Sequence, residues 1–373
     1  MLFQNIYGQE PIKQIFTRSV QENRIPHALL ITGPEGSGKL PLSIAYARYI
    51  CCENRGKTDS CGVCPSCVKF NKLIHPDLHF VFPITRSKDS ITCDYYLEPW
   101  REMFLQQPYF NLDQWLAKTG SENGQGLIYS NESEEIIRKL NKKSYEADYK
   151  IMIIWLPEKM HLSCANKLLK ILEEPPEKTL FLLVTENAEQ LLTTIISRTQ
   201  RIVVPPLEKE TVQKAMADRY QIDERERSNI AHIANGNLIR AEEIIRTSTE
   251  SREYFDLFTQ VMRASYSKNA MEMKRWSEAM SRLGRKRQTS FLQYAQRMIR
   301  ENFILNLKNS DLNYMTGYEN DFSARFAPFV NERNIFGLLS ELESAERHIE
   351  QNVQAKLVFF DLALKMIMLL KSS

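Results

Sequence analysis

Residues 27–39 read HALLITGPEGSGK, an apolar run that leads into a glycine-rich loop. The run at 27–31 has no polar alternation, which is typical of a strand covered on both faces in a parallel sheet. A helical pattern with Leu42, Ile44 and Ala45 follows the loop. Strand, glycine-rich loop and helix in this order predict a phosphate-binding loop, where backbone N–H groups and a lysine ammonium face phosphate oxygens. The candidate residues are Gly33, Gly36, Ser37, Gly38 and Lys39.

The predicted loop is degenerate, because it lacks two groups that a working ATPase needs. The residue after the lysine is normally Ser or Thr, whose hydroxyl holds Mg²⁺, and here it is Leu40. A central strand is normally followed by acidic residues, but the apolar run at 150–154 is followed by Trp155 and Leu156. The nearest acid, Glu158, lies ~10 Å further along an extended chain. We expect no Mg²⁺ site and no hydrolysis, and whether ATP still binds stays open.

Seven cysteines are present, and five of them fall between residues 51 and 67. Cys52, Cys61, Cys64 and Cys67 have the spacing C-x8-C-x2-C-x2-C. Thiolates two residues apart can share one tetrahedral ion, and four of them close a structural site. In a reducing compartment such a cluster more often binds metal than forms disulfides. The pattern predicts structural Zn²⁺, with Cys51 as a possible substitute for Cys52.

Composition limits the classes of function. The 373 residues include 49 basic and 46 acidic side chains, a formal charge of +3, with 43% hydrophobic residues. These proportions argue against a disordered chain and against a strongly basic nucleic-acid coat. The most apolar stretch, 357–370, is shorter than the ~20 residues of a membrane span and includes Asp361 and Lys365. With no secretion signal at the N-terminus, we expect a cytoplasmic protein without a membrane segment.

The organisation changes near residue 205. Further strand-like runs at 150–154, 180–184 and 200–204 alternate with helical patterns, as around a parallel sheet. Beyond Pro205 and Pro206 only helical periodicity continues. We therefore predict an α/β domain at 1–205 that carries the cysteine module (51–67), a small helical domain at 206–249 and an all-α domain at 250–373. The aromatic-rich stretch 79–125 fits the alternation poorly and is interpreted as an insertion with some packing of its own and no assigned function.

Six motifs occur in a shared order: GQE at 8–10, RIPHA at 24–28, the glycine-rich loop, the four cysteines, NKLLKILEEPP at 166–176, and Ser197-Arg198. Together they resemble the AAA+ clamp-loader family of bacterial DNA polymerase III. The resemblance covers residues 1–206 with specific motifs and extends weakly beyond them. It implies an α/β P-loop AAA+ domain, a small helical lid and an all-α collar that assembles a five-subunit ring.

The resemblance also implies a function. In that family the Ser-Arg pair supplies an arginine finger to a neighbour's ATP, a role that falls here on Ser197 and Arg198, since a fixed guanidinium can stabilise charge on the transferred phosphoryl group. A non-hydrolysing clamp-loader subunit of the DNA polymerase III holoenzyme is implied. Its partners would be gamma/tau-like and delta-like subunits and, through the complex, the sliding clamp and primed DNA.

Three alternatives stay open. The first is a gamma/tau-like motor subunit of the same family, against which Leu40 and Trp155 argue. The second is an ATPase that uses an unconventional carboxylate, for which Glu158 is the candidate. The third is a zinc-dependent nucleic-acid binder outside replication, which would need stronger basic and aromatic flanks than the cysteine module has.

Overall fold

The computed structural model describes residues 1–86, 91–121, 124–306 and 317–371. It divides into two compact units, Met1–Ile244 and Ile245–Ser373. The finer division into an α/β domain, a small helical lid and an all-α collar, with boundaries at residues 206 and 250, stays a prediction. None of the helices in the described ranges is long and apolar enough to cross a membrane.

A five-stranded parallel sheet lies at the centre of the described part of the first unit. Its order is β2-β3-β4-β1-β5. The strands are β1 (Ala28–Thr32), β2 (Leu78–Val81), β3 (Lys150–Trp155), β4 (Thr179–Thr185) and β5 (Gln200–Val203). The α/β prediction is confirmed, and so are the four strands expected from apolar runs. The short strand β2 was not predicted, and it places His79, the first residue of the proposed insertion, inside the sheet.

Helices flank this sheet and continue toward the second unit. The loop after β1 leads directly into α2, whose residues are all buried because the helix is packed on every side. The helix expected at 163–174 is α7, and it ends before Pro175 and Pro176, as predicted. The helices are α1 (Glu10–Gln21), α2 (Lys39–Cys51), α3 (Pro65–Asn71), α4 (Leu97–Gln106), α5 (Leu112–Lys118), α6 (Glu132–Leu140), α7 (Leu162–Glu173), α8 (Thr193–Ile196), α9 (Lys209–Arg219), α10 (Glu224–Ala234) and α11 (Leu238–Tyr266).

The second unit is helical throughout its described residues, which confirms the predicted all-α C-terminal region. Its core contains Trp276, Phe291 and Phe359, whose rings contact one another edge to face. The helices that build it after α11 are α12 (Ala270–Arg282), α13 (Arg285–Asn306), α14 (Gly317–Phe326), α15 (Ile335–Glu350) and α16 (Ala355–Lys371).

Most of the large aromatic side chains of the 79–125 stretch, among them Trp100, Phe110 and Trp115, lie in the main core of the first unit, whereas we expected an insertion with some packing of its own. Trp100 of α4 stacks on Phe82 with ring centroids 4.2 Å apart. Its ring also lies 5.1 Å from Trp115 of α5 and 5.1 Å from Trp155 at the end of β3. Such aromatic contacts add to the free energy gained by area burial. The stretch is therefore an integral part of the sheet domain.

Because Trp100 is fully buried at the centre of this cluster, we predict that Trp100→Ala lowers the free energy of unfolding by ~3–5 kcal/mol. Urea denaturation followed by circular dichroism measures the change. Tyr95→Ala is the matched control, since Tyr95 lies in the same stretch but is 72% exposed, and its effect should stay within ~0.5 kcal/mol. Equal effects of the two substitutions would contradict the shared core.

Candidate functional site

The loop between β1 and α2 has the backbone of a phosphate-binding loop. Gly36 and Gly38 have φ of 72° and 89°, a region that favours glycine. Gly38 is the N-cap of α2, so the N-terminus of this helix opens at Lys39. A Cβ on Gly33 would lie 2.2 Å from the carbonyl oxygen of Val204, so no side chain fits there. At each of the three glycines predicted from the sequence, the backbone conformation or a close neighbouring atom explains why the residue has no side chain.

Lys39 is turned back onto its own loop. Its Nζ donates to the carbonyl oxygen of Pro34 at 2.5 Å, and the hydroxyl of Ser37 donates to the same oxygen at 2.8 Å. Burial lowers the pKa of Lys39 to about 8, while the charges of Glu186 and Glu158 act in the opposite direction. In this arrangement the lysine ammonium is satisfied within the chain.

Apolar side chains stand at the two positions where a working ATPase carries oxygen ligands. Leu40 is buried, and its side chain offers no oxygen at the start of α2. Trp155 ends β3 and is 3% exposed, with its ring 5.3 Å from that of Phe110. One cavity that Lys39 lines has a volume of about 20 Å³. One water needs ~10–15 Å³, and typical small-molecule pockets have 300–1,000 Å³.

Glu158 does not continue the direction of β3 but turns back to the end of β4. Leu156 adopts a left-handed conformation, and the 3₁₀ turn Pro157–Lys159 brings the chain back toward β4. The Glu158 carboxylate accepts a hydrogen bond from the hydroxyl of Thr185 at 2.8 Å and another from the backbone N–H of Glu186 at 3.0 Å. It therefore caps the end of β4, where these hydrogen bonds fix the direction of its carboxylate.

Four cysteine sulfurs meet at the junction of α2 and α3. The Sγ atoms of Cys52, Cys61, Cys64 and Cys67 all lie within 4.8 Å of one another, and those of Cys61 and Cys67 are 3.9 Å apart. For a tetrahedral ion with bonds of ~2.3 Å, neighbouring sulfurs would lie ~3.8 Å apart. Among the described residues, this cluster has the geometry to hold a metal ion. Cys51 lies outside it in the hydrophobic core, so it does not substitute for Cys52.

Backbone N–H groups point at these sulfurs. The amide of Cys61 donates to Cys52 at 3.3 Å, that of Cys64 to Cys61 at 3.3 Å, and that of Cys67 to Cys64 at 3.4 Å. The N–H groups of Val63 and Cys64 lower the pKa of Cys61 to about 6. Such donors favour thiolates, which are the form that binds metal. Burial acts in the opposite direction at Cys52, whose pKa it raises to about 12. The case for a divalent cation therefore rests on the geometry of the four sulfurs.

Arg198 lies apart from the phosphate loop, just after α8. Its Nη1 donates to the carbonyl oxygen of Thr194 at 2.9 Å and to the hydroxyl of Ser197 at 3.4 Å. Its Nη2 forms an ion pair with Glu173, the last residue of α7. The side chain is 32% exposed. The guanidinium is therefore held at the surface by two helices of its own chain.

Comparison with known proteins identifies the family. A family model described as DNA polymerase III, delta subunit, matches residues 8–208, more than half of the chain. The chain belongs to this family. The match includes the phosphate loop, the cysteine cluster and Ser197-Arg198.

The curated relatives agree with that assignment. DNA polymerase III subunit delta' of Bacillus subtilis (strain 168) is 29% identical over 212 residues, 57% of this chain and 52% of that protein. The delta' subunit of Escherichia coli (strain K12) is 29% identical over 197 residues, 52% of this chain and 47% of the relative. The tau subunit of B. subtilis is 25% identical over 241 residues, 63% of this chain and 36% of the relative. The chain thus spans about half the length of the delta' relatives it matches.

Two solved structures align over nearly the whole chain. A gamma-subunit-related protein of Thermotoga maritima covers 96% of this chain and 99% of its own, at 16% identity and a TM-score of 0.39. The B. subtilis DNA clamp loader delta protein has the same coverage, at 10% identity and a TM-score of 0.36. Both scores are low, so the family assignment rests on the sequence matches.

Proposed function

We propose that this protein is a non-hydrolysing subunit of the replicative clamp loader of DNA polymerase III. It helps to load the sliding clamp onto primed DNA, and it donates Arg198 to the ATP of a neighbouring subunit. Its partners are gamma/tau-like and delta-like subunits in a five-subunit ring in the cytoplasm, and it reaches the clamp and DNA through that complex. Family membership supports the assembly, and the contrast between the two sites of this chain supports the division of roles.

The held position of Arg198 is the observation that carries the proposal. The contacts with Thr194 and Glu173 fix the direction of the guanidinium, and a guanidinium has more N–H donors than these contacts use. The remaining donors can reach a phosphate presented by another subunit, and a group fixed beforehand needs no reorganisation when charge develops. This geometry suits a finger that acts in trans.

The chain's own loop supports the other half of the proposal. Lys39 donates to Pro34, Leu40 replaces the magnesium hydroxyl, and Trp155 replaces the acid after β3. A gamma/tau-like motor would need oxygen ligands at both positions. The non-hydrolysing role therefore suits this chain better than the motor role.

We propose that the cysteine cluster holds Zn²⁺ as a structural ion. Four sulfurs in tetrahedral spacing are typical of closed zinc sites and leave no position open for catalysis. The cluster joins Cys52, directly after α2, to Cys64, the N-cap of α3. The ion would fix the excursion between these helices, just beyond the helix that begins at the phosphate loop.

We also propose that the helical second unit supplies contacts between subunits. In this unit Phe336 of α15 is 80% exposed, and Leu357 and Leu364 of α16 are 61% and 40% exposed. Apolar side chains of this size are enriched at protein interfaces when they occur together. The adjacent subunit of the ring is the partner that this proposal assigns to them.

In the reconstituted complex, we predict that Arg198→Ala leaves assembly intact and lowers clamp-stimulated ATPase activity. An arginine finger contributes ~10³-fold or more to the rate at one site, although other sites in the ring dilute the observed loss. Arg138→Ala is the control, since Arg138 is an exposed arginine paired with Glu135. Full ATPase activity of an assembled Arg198→Ala complex would contradict the proposal.

Glu173 is predicted to act as a positioning residue for Arg198. Glu173→Gln keeps the size of the side chain but removes the charge of the ion pair, and we expect a loss of ATPase activity of about tenfold. Glu174→Gln, one residue further along, is the matched control and should have no effect. In an Arg198→Ala background Glu173→Gln should cause no further loss, because the two residues act as a unit. An additive loss in the double variant would show that Glu173 acts elsewhere.

For the metal, we predict one zinc per chain by elemental analysis of the purified protein. Cys64→Ser should remove the zinc and lower the thermal midpoint, because one ligand of a closed site is lost. Cys51→Ser should retain the zinc, since Cys51 lies outside the cluster. Equal metal content in the wild type and in Cys64→Ser would contradict a four-cysteine site.

A further inference from the structure

Side chains of the chain itself pack against the phosphate loop. The cavity between the loop and residues 108–110 has a volume of about 20 Å³, room for one water and far below the several hundred Å³ of a nucleotide pocket. On the loop side this space is bordered by Gly36, Gly38, Lys39 and Leu40. On the opposite side it is bordered by Pro108, Tyr109 and Phe110, which connect α4 to α5 in the stretch that had no assigned function.

Tyr109 covers the phosphate loop at Gly38. Its side chain is 2% exposed, and its hydroxyl accepts the backbone N–H of Tyr7 at 3.3 Å. A Cβ placed on Gly38 would lie 3.3 Å from the Tyr109 ring, so the ring rests directly against the turn into α2. A phosphate group would need this position to meet the N-terminus of α2.

Phe110 anchors the same connection in the core. Its ring lies 5.3 Å from Trp155 and 5.2 Å from Trp100, in edge-to-face contacts. Trp155 stands where a working ATPase carries its acidic residue. Trp155 therefore has two effects: it stands in place of an acidic metal ligand, and its ring is the surface against which Phe110 packs.

A second set of contacts joins this connection to Arg219 of α9 and Glu242 of α11, two residues within the predicted lid, 206–249. Gln107 donates to the carboxylate of Glu242 at 3.2 Å, and the same carboxylate forms an ion pair with Arg219. The Arg219 guanidinium lies over the rings of Tyr7 and Tyr109, 5.2 and 5.7 Å from their centroids. Glu242 is 8% exposed, so its charge is compensated within this cluster.

The beginning of α11 also touches the loop directly. The Asn237 amide donates to the carboxylate of Glu35 at 3.0 Å, and the N–H of Leu238 points at the carbonyl oxygen of Gly36 at 3.4 Å. A Cβ on Gly36 would lie 2.0 Å from the Asn237 Oδ1. The loop is therefore covered both by the 107–110 connection and by the first residues of α11.

We infer that residues 107–110 form an intramolecular plug, which occupies the nucleotide cleft and links the phosphate loop to α9 and α11 in place of ATP. The plug excludes nucleotide by volume, independently of the missing magnesium ligands. It also gives the 79–125 stretch a function. The inference goes beyond the role proposed for Arg198 and does not depend on it, since it concerns the isolated chain alone.

Equilibrium dialysis of the isolated full-length protein with ATP, with and without Mg²⁺, is the first test. We expect no saturable binding up to about 1 mM ATP. Saturable binding that disappears in Lys39→Ala would place nucleotide at the loop of the wild type and overturn the plug. The Arg198→Ala experiment measures ATP hydrolysis by neighbouring subunits, whereas dialysis measures ATP binding to this chain. One result can therefore contradict the role of Arg198 or the plug without affecting the other.

Hydrogen exchange measured by mass spectrometry is the second test. Tyr109→Ala removes the ring that covers Gly38, so amides at 36–40 and 237–242 should exchange about tenfold faster or more than in the wild type. Tyr95→Ala, an exposed tyrosine of the same stretch, should leave both segments unchanged. Should Tyr109→Ala fail to fold by circular dichroism, Tyr109→Leu takes its place with the same readout. A folded variant with wild-type exchange at both segments would overturn the inference.

Discussion

An aromatic side chain at the carboxyl end of β3 is the constraint on which the rest of the first unit depends. Trp155 takes the position at which an ATPase presents oxygen to a metal ion, and its ring packs against Trp100 and Phe110. A large apolar ring there offers no oxygen, so a cation at this position would lose water without gaining a ligand from Trp155. It also brings α4 and α5 into the core, which in turn sets Tyr109 over the phosphate loop.

Two cationic side chains of the chain are therefore used in opposite ways. Lys39 is buried and bound to a carbonyl oxygen of its own loop, where it supports local structure. Arg198 is partly exposed and oriented by α7 and α8, where it is available to another molecule. The cysteine cluster lies at the far end of α2 and joins it to α3. This combination of a buried loop lysine and a fixed surface arginine is what the proposed role, completing a neighbour's site without a cycle of its own, would use.

The sequence predicted what depends on local pattern. Apolar runs revealed β1, β3, β4 and β5, glycine spacing revealed the loop, and the short cysteine spacing revealed the cluster, since these features lie within a few residues of each other. Strand β2 was missed because it has four residues and includes His79. The contacts of Glu158 with Thr185 and Glu186 were not predicted, because an extended-chain estimate ignores the turn that the left-handed Leu156 introduces. The contact of Trp100 with Trp155 joins residues distant in sequence, and aromatic content does not reveal such a partner.

The central claim is that this chain donates the Arg198 guanidinium to a neighbouring subunit and binds no nucleotide at its own phosphate loop. The structure of the assembled clamp loader with a non-hydrolysable ATP analogue tests this claim most directly. The account predicts an Arg198 guanidinium within hydrogen-bonding distance of the terminal phosphate bound to the adjacent subunit, with Tyr109 still against Gly38. An analogue bound at Lys39, or an Arg198 side chain directed away from every subunit boundary, would contradict it.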